Sequence, residues 1–443
     1  MKKIITQHDI LARLLQQEAD APHFPCNLRG VCGKCRVKLL AGIWLVDGKT
    51  VNAPAEVLSC RTRLLSACGE VEFFPQPEIR SILADWDLPE PLPDTPDAVV
   101  GIDLGTTTLA AVKLCRGKIV ARATSMNPQS VFGADVVSRI AAAGEHLPQL
   151  TELLRNAVDA LLDKLDLHGV KRIAVAGNTV MSSLFHGVDP TPIGSAPFTP
   201  SVRFFPEVTH RGVPLLTVPC ISGFLGGDVT AGAVETALAP GEMLVDLGTN
   251  CEIIFSTPQG VIGSAAAAGP AFEQYGMQAL PGAADHLFSL DEEMVGGLCG
   301  SSLVDFLALA REKGLLDERG LYTAVKRPAY APQAEEIAEL LNAKAAISAG
   351  IRSLEAYAGI QADKIYLAGG FARHLDLNNA VKIGMLPPRK YQVVGNAALA
   401  GACRLAAEPD RLNRLEEYAA LPQELPLNTL EVFEKLFIQS LGL

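Results

Sequence analysis

Five cysteines fall within the first 70 residues, and four of them have a spacing that suits a metal cluster. Cys26, Cys32 and Cys35 share one short stretch, Cys26-Asn-Leu-Arg-Gly-Val-Cys32-Gly-Lys-Cys35, and Cys60 follows after 24 intervening residues. Four thiolates are the number that holds two irons, two ligands to each. Three from a single loop would wrap closely around the inorganic core, with the fourth closing the cage from a distant segment. Gly30 and Gly33 relax the backbone of that loop and let amide N–H groups approach the sulfides. Structural zinc is the rival reading. Zinc sites usually carry two paired-cysteine knuckles, and here only Cys32–Cys35 is paired. Cys68 reads as a packed thiol.

A second chemistry lies further along. Gly101-Ile102-Asp103-Leu104-Gly105-Thr106-Thr107-Thr108 follows a short apolar run. A buried strand feeding a turn of small residues presents backbone N–H groups and hydroxyls to a phosphate. Asp103, at the strand end, can orient water around magnesium, which prefers oxygen ligands and keeps several waters. Asp246-Leu247-Gly248-Thr249-Asn250 repeats the pattern. Each turn alone reads equally well as a plain hairpin, but two facing one cleft could clamp a polyphosphate. Leu367-Ala368-Gly369-Gly370-Phe371 ends a strand and starts a helix, where glycines let an adenine and ribose approach the backbone. Close helix–strand packing is the alternative there.

The elements that must carry these residues form a repeat. Residues 98–123 and 242–265 each read strand, glycine-containing turn, strand, turn at glycine, strand. Asp103 and Asp246 are 143 positions apart, as are Gly105 and Gly248, Thr106 and Thr249, and Gly117 and Gly260. Residues 172–177, Arg-Ile-Ala-Val-Ala-Gly, follow a helix whose Leu154, Val158, Leu161 and Leu165 share a face. Residues 364–370, Lys-Ile-Tyr-Leu-Ala-Gly-Gly, follow the helical stretch 335–357. Two similar α/β halves make a natural cleft between them. Residues 79–97 are rich in proline and acid and read as a semi-rigid linker. This divides the chain into residues 1–78, the linker, and residues 98–443, with lobes at about 98–240 and 241–410 and a helical tail at 411–443.

The net charge of −11 argues against a nucleic-acid partner, which usually meets a basic field. With 49% hydrophobic and 20% charged residues the chain is globular. Polar residues interrupt any signal-peptide core near the N-terminus, and no apolar run of about 18 residues offers a membrane span. A cytoplasmic protein is expected, and there the cysteine cluster points to a metal site rather than disulfides.

The C-x5-C-x2-C…C spacing resembles that of adrenodoxin-like two-iron ferredoxins, which have the β-grasp fold. The resemblance implies a 2Fe–2S cluster on Cys26, Cys32, Cys35 and Cys60. A β-grasp opens with a hairpin, for which about ten residues precede the first helix-like segment. A truncated α+β sheet follows, with strands near Arg36–Leu40 and Val71–Phe74. The three later motifs resemble the phosphate-1, phosphate-2 and adenosine motifs of the superfamily that joins actin, sugar kinases and heat-shock chaperones. That implies a two-lobed, duplicated ribonuclease H-like ATPase fold binding ATP and Mg2+ through Gly105–Thr108, Gly248–Asn250 and Gly369–Phe371.

Within that superfamily one family is similar in more detail. Its motifs are matched by Asn127-Pro128-Gln129, Phe132–Ile140, Gly177-Asn178-Thr179-Val180-Met181, Gly223-Phe224-Leu225-Gly226-Gly227-Asp228, Ala268–Glu273 and Gly395-Asn396-Ala397-Ala398. It is the family of reductive activators of corrinoid proteins, which join a two-iron domain to an actin-like ATPase. The resemblance implies ATP-dependent, one-electron reduction of Co(II) to Co(I) in a corrinoid protein or methyltransferase, fed by an external low-potential donor. A shortfall of 100 mV for one electron is about 2.3 kcal/mol. ATP can supply it only through differential contacts with two protein states. Asp103 and Asp246, with Asp228 and Glu273, are the expected catalytic carboxylates. Two other readings stay open: a ferredoxin-fused small-molecule kinase using Asp228 or Glu273 as base, and a nucleotide-binding redox sensor or scaffold.

Overall fold

The computed structural model of the chain describes residues 2–15, 35–73, 86–87, 91–133, 135–269, 271–272, 286–291, 298 and 300–443. It divides into two compact units, Met1–Glu78 with Pro128–Ala142, and Ile79–Asn127 with Ala143–Leu443. Among the described residues no helix is long and apolar enough to cross a membrane.

The first unit is built from short strands: β1 (Lys2–Ile5), β2 (Arg36–Ala41), β3 (Ile43–Val46), β4 (Lys49–Asn52), β5 (Ala55–Leu58), β6 (Thr62–Leu64) and β7 (Gly69–Glu72). They form an antiparallel sheet in the order β1-β7-β2-β5 and a smaller one in the order β4-β3-β6. The two strands expected near Arg36 and Val71 are β2 and β7. Before the helix Leu11–Leu15 the described residues hold one strand, β1, which lies antiparallel to β7. Alternation fixes the faces. Val37 and Leu39 of β2 point inward, while Arg36 and Lys38 point out. The helix Leu11–Leu15 buries Leu11, Leu14 and Leu15 against them, together with Ile5, Trp44, Val71 and Phe73. Trp44 is fully buried, and its indole N–H donates to Ala41 O at 3.0 Å. A β-carbon on Gly69 would lie 2.3 Å from that ring, so β7 can cross the indole only with glycine there.

The second unit holds two six-stranded sheets. The first comprises β8 (Ala98–Leu104), β9 (Thr108–Cys115), β10 (Lys118–Met126), β11 (Val170–Gly177), β12 (Val208–His210) and β13 (Val213–Thr217). The second comprises β14 (Glu242–Leu247), β15 (Cys251–Thr257), β16 (Gly260–Ala266), β17 (Lys364–Ala368), β18 (Lys390–Gly395) and β19 (Gln423–Glu424). The orders are β10-β9-β8-β11-β13-β12 and β18-β17-β14-β15-β16-β19. In both, an antiparallel meander is joined on its first strand to a parallel pair. The repeat seen in the sequence is therefore a structural duplication. It is imperfect at the turns: Leu104 pairs with Leu109 but Leu247 with Cys251, so the first turn is one residue longer.

The helix Val136–Leu165 is kinked at His146, two residues before Pro148, which lacks the N–H an unbroken ladder needs. Beyond the kink Leu154, Val158, Leu161 and Leu165 are all buried. The helices Gly227–Thr236 and Ala397–Ala407 cross in close contact. A β-carbon on Gly401 would sit 2.6 Å from that of Ala231. Ala231 and Val234 pack with Leu399 and Ala402 on the first sheet, and Val229 and Ala233 pack with Leu244 and Ile254 of the second. Glu235 locks the crossing. Its carboxylate accepts from Arg404 Nε at 2.6 Å and from Arg411 Nη2 at 3.3 Å, with Glu235 and Arg404 side chains only 3% and 5% exposed.

The proline-rich segment is not a free tether along its described length. Asp87 N–H donates to Val394 O at 3.0 Å and half-buried Trp86 bridges Gly395, beside β18. The tail adds more than helices: Arg411–Ala419 and Glu431–Gln439 flank β19, which lies parallel to β16.

Candidate functional site

The two repeated turns meet. Thr107 Oγ1 of the first lies 3.4 Å from Thr249 Oγ1 of the second. Each turn follows a buried strand, so the strands fix where the turns point and leave their last residues only partly buried: Asp103, Gly105, Thr107 and Thr108 in one half, Asp246 and Gly248 to Asn250 in the other. The glycines differ. A β-carbon on Gly105 would sit 2.2 Å from Thr108 O, so the first turn needs glycine to close on itself. On Gly248 the nearest atom would be Asn250 O at 3.7 Å, and the second turn closes through Gly248 N–H donating to that carbonyl at 3.0 Å.

Three asparagines hold the first turn. Asn127 Nδ2 donates to Gly105 O at 2.9 Å, and Asn178 Nδ2 donates to Thr106 Oγ1 at 2.9 Å. Asn396 Nδ2 donates to Asp103 Oδ2 at 2.8 Å. Asn178 and Asn396 are also N-caps, accepting from Met181 N–H and Leu399 N–H through their side-chain oxygens. An asparagine just before an apolar helical run is a readable cap signal. That its amide end reaches a turn elsewhere in the fold is not readable.

Carboxylates converge here. Burial pushes Asp103 up to about 7, with Asp228 adding to the rise and the Asn396 hydrogen bond opposing it. Asp228, in the first turn of the helix Gly227–Thr236, is raised to about 6 by burial, while N–H donation from Val229 opposes the shift. Asp246 is paired across the hairpin with Glu252, a residue that motif reading passed over. Glu252 is held well above the usual carboxylate range, first by burial and then by Asp228 and Asp246. Its signal was positional only, since it faces an aspartate across a three-residue turn. Among the described residues these carboxylates lie near one another without forming a group placed to hold a metal ion by themselves.

The adenosine-type motif abuts the same place. Gly369, at φ +96°, packs so closely that a β-carbon would lie 2.5 Å from Leu247 O and 3.0 Å from Asp246 Oδ1. Close packing on β14 therefore requires glycine here. Phe371 stacks on Phe272 with ring centres 5.2 Å apart, and Gly370 lies between Gly369 and Phe371 in the chain. Glu273 lies outside the described residues.

In the first unit Cys35 and Cys60 come together. Arg36 pairs with Leu58, and Ser59 N–H donates to Cys35 O at 2.9 Å, which sets Cys60 beside Cys35. Both thiols are buried with Ala12, and neither forms a disulfide. Two of the four expected ligands are thus adjacent. Cys26 and Cys32 lie outside the described residues. Cys68, expected to be packed, is instead exposed, because it sits in the loop before β7 while Gly69 takes the place against Trp44.

Family models match the whole of the second part. Residues 98–240 match the RACo middle region, and residues 241–443 match the C-terminal domain of RACo, the ASKHA domain. The chain is 26% identical over 375 residues to the corrinoid activation enzyme RamQ of Eubacterium limosum, covering 68% of this chain and 63% of that protein. It is 25% identical over 343 residues to a [Co(II) methylated amine-specific corrinoid protein] reductase of Methanosarcina barkeri, covering 63% and 64%. The chain thus spans a little under two thirds of the length of these curated relatives. A solved structure titled reductive activator for corrinoid, iron-sulfur protein shares the fold, with a TM-score of 0.69 and 24% identity over 94% of this chain and 93% of that one. A duplicated, actin-like α/β unit carrying both RACo regions in order means that this chain belongs to the RACo family.

Proposed function

We propose that this chain is an ATP-dependent reductase of a corrinoid protein, returning inactive Co(II) to Co(I) by one electron drawn from an external low-potential donor. The observation that carries the ATP half is the meeting of two duplicated Asp-x-Gly-Thr turns, with Thr107 and Thr249 hydroxyls 3.4 Å apart. Backbone N–H groups and hydroxyls of Gly105–Thr108 and Gly248–Asn250 would hold the phosphates from either side. Asp103 and Asp246 would orient the waters of a bound Mg2+, with Asp228 nearby as a further acid. Gly369, Gly370 and Phe371 would flank the nucleoside. Both relatives named above act on corrinoid systems, which supports a corrinoid protein or corrinoid-dependent methyltransferase as partner.

The electron half rests on the first unit. A 2Fe–2S cluster on Cys26, Cys32, Cys35 and Cys60 would supply one-electron storage at low potential. What the described residues contribute is burial: Cys35 and Cys60 lie in a small apolar pocket that shields their sulfurs from water. The test is anaerobic mixing with Co(II) corrinoid proteins and a reduced donor, followed by absorption spectroscopy. Co(I) should form with ATP and not without it. Equal rates with and without ATP would overturn the coupling, and phosphorylation of a small metabolite instead would favour a kinase.

A further inference from the structure

The helix Ala397–Ala407 rides directly on the strand that carries Asp103. A β-carbon on Gly101 of β8 would lie 2.4 Å from Cys403 Sγ and 2.6 Å from the Cys403 backbone nitrogen, so only glycine lets the strand come this close to the helix. The same helix crosses Gly227–Thr236, which carries Asp228, at the Gly401–Ala231 contact. At its N-terminus stands Asn396. The amide of this residue is committed at both ends: Oδ1 accepts from Leu399 N–H at 2.8 Å, and Nδ2 donates to Asp103 Oδ2 at 2.8 Å. Asn396 follows β18 of the second sheet, and Asp103 is the last residue but one of β8 in the first. One side chain therefore joins a carboxylate of one half to a helix start of the other.

We infer that Asn396 is a positioning residue for ATP hydrolysis, aiming the Asp103 carboxylate by tying it to the helix start of the opposite half. The inference rests on the ATP reading above. Capping alone does not explain an asparagine here, since aspartate and serine cap equally well. Only asparagine caps and also keeps an N–H of this reach for Asp103. Aspartate would set a second acceptor against Asp103 Oδ2, and serine is too short to reach it. Without the donor, Asp103 is free to turn between rotamers and is held less firmly in its charged form, so the cost falls on turnover rather than on nucleotide affinity.

The test uses the full chain, purified anaerobically, and measures hydrolysis of Mg·ATP together with binding of a fluorescent ATP analogue and the melting temperature. Asn396→Ser should melt near the wild type and Asn396→Asp somewhat lower, because it sets two carboxylates face to face, and both should bind the analogue with similar affinity. Their kcat should fall about tenfold to a hundredfold, the size expected for loss of a charge-assisted hydrogen bond. Asn396→Ala, which also loses the cap, should lose both stability and turnover. Wild-type kcat in the Asp and Ser variants would overturn the positioning role and leave the ATP reading standing. So would a loss of turnover that only tracks a falling melting temperature. A wild-type chain that neither binds nor hydrolyses Mg·ATP would instead overturn the ATP reading, and this inference with it.

Discussion

Glu235→Gln is a sensitive perturbation of the larger unit. Glu235 accepts from two arginines, Arg404 at 2.6 Å and Arg411 at 3.3 Å, and the Glu235 and Arg404 side chains are 3% and 5% exposed. Glutamine keeps the shape but leaves the Arg404 guanidinium buried without its counter-charge. Breaking a buried pair from one side costs about 3–5 kcal/mol. Spread over about 350 residues at about 2.1 cal/mol/K each, that is a fall in melting temperature of about 4–7 °C. Arg411 softens the loss, being partly exposed and also paired with Glu408 at 3.3 Å. Scanning calorimetry on the nucleotide-free protein reads the effect as a shift in the larger unit's transition. The double variant Glu235→Leu with Arg404→Met should recover most of it, because a buried pair replaced by apolar side chains is often neutral. A Glu235→Gln transition within about 1 °C of wild type would refute the reasoning. It would mean that water reaches the crossing and that the pair is screened.

Gly105→Ala should disrupt the first turn and lower stability, since its new β-carbon meets Thr108 O at 2.2 Å, whereas Gly248→Ala should melt like wild type and lose ATP affinity alone. Nucleotide titration with a parallel melting curve separates the two. Asp103 and Asp228 have folded-state pKa values near 7 and 6, both above the unfolded 3.8. Their contribution to stability is thus complete below about pH 4 and lost as pH rises through about 6 to 7. The empty protein should therefore melt lower at pH 8 than at pH 5, and Asp103→Asn should flatten that slope; a flat wild-type profile would contradict it. Cys60→Ala should lose bound iron and Cys68→Ala should keep it, as read by iron and labile-sulfide analysis.

The duplication was legible because turns with strict small-residue needs recur at one spacing. Asp103 and Asp246, 143 positions apart, do stand at equivalent strand ends beside meeting turns. What holds them there was not legible. Asn127, Asn178 and Asn396 act on a turn far from two of them in sequence, and a contact of that kind leaves no periodic trace. Glu252 was hidden by its neighbours, since a carboxylate inside an apolar strand looks like any other residue until the hairpin register sets it opposite Asp246. The first unit was harder still, because its strands are three to six residues long and no pattern of that length fixes a pairing partner. The contacts of the proline-rich segment were not legible either. Prolines argue against a regular element, but they do not prevent Trp86 and Asp87 from lining up beside β18.

The chain has two tryptophans, and the fold gives one to each compact unit: Trp44 sealed in the first, Trp86 half-buried in the second. The protein therefore carries two optical probes of its own. Trp44, dry and pinned by one hydrogen bond, should emit toward the blue and resist quenching by iodide until its unit opens. Trp86 bridges Gly395, the residue next to Asn396, and so reports from the strand end that leads into the cleft. A Trp44→Phe chain would leave emission from the larger unit, and a Trp86→Phe chain emission from the cysteine-bearing unit. Melting and ligand titrations of the two units can then be followed separately in one intact, unlabelled molecule.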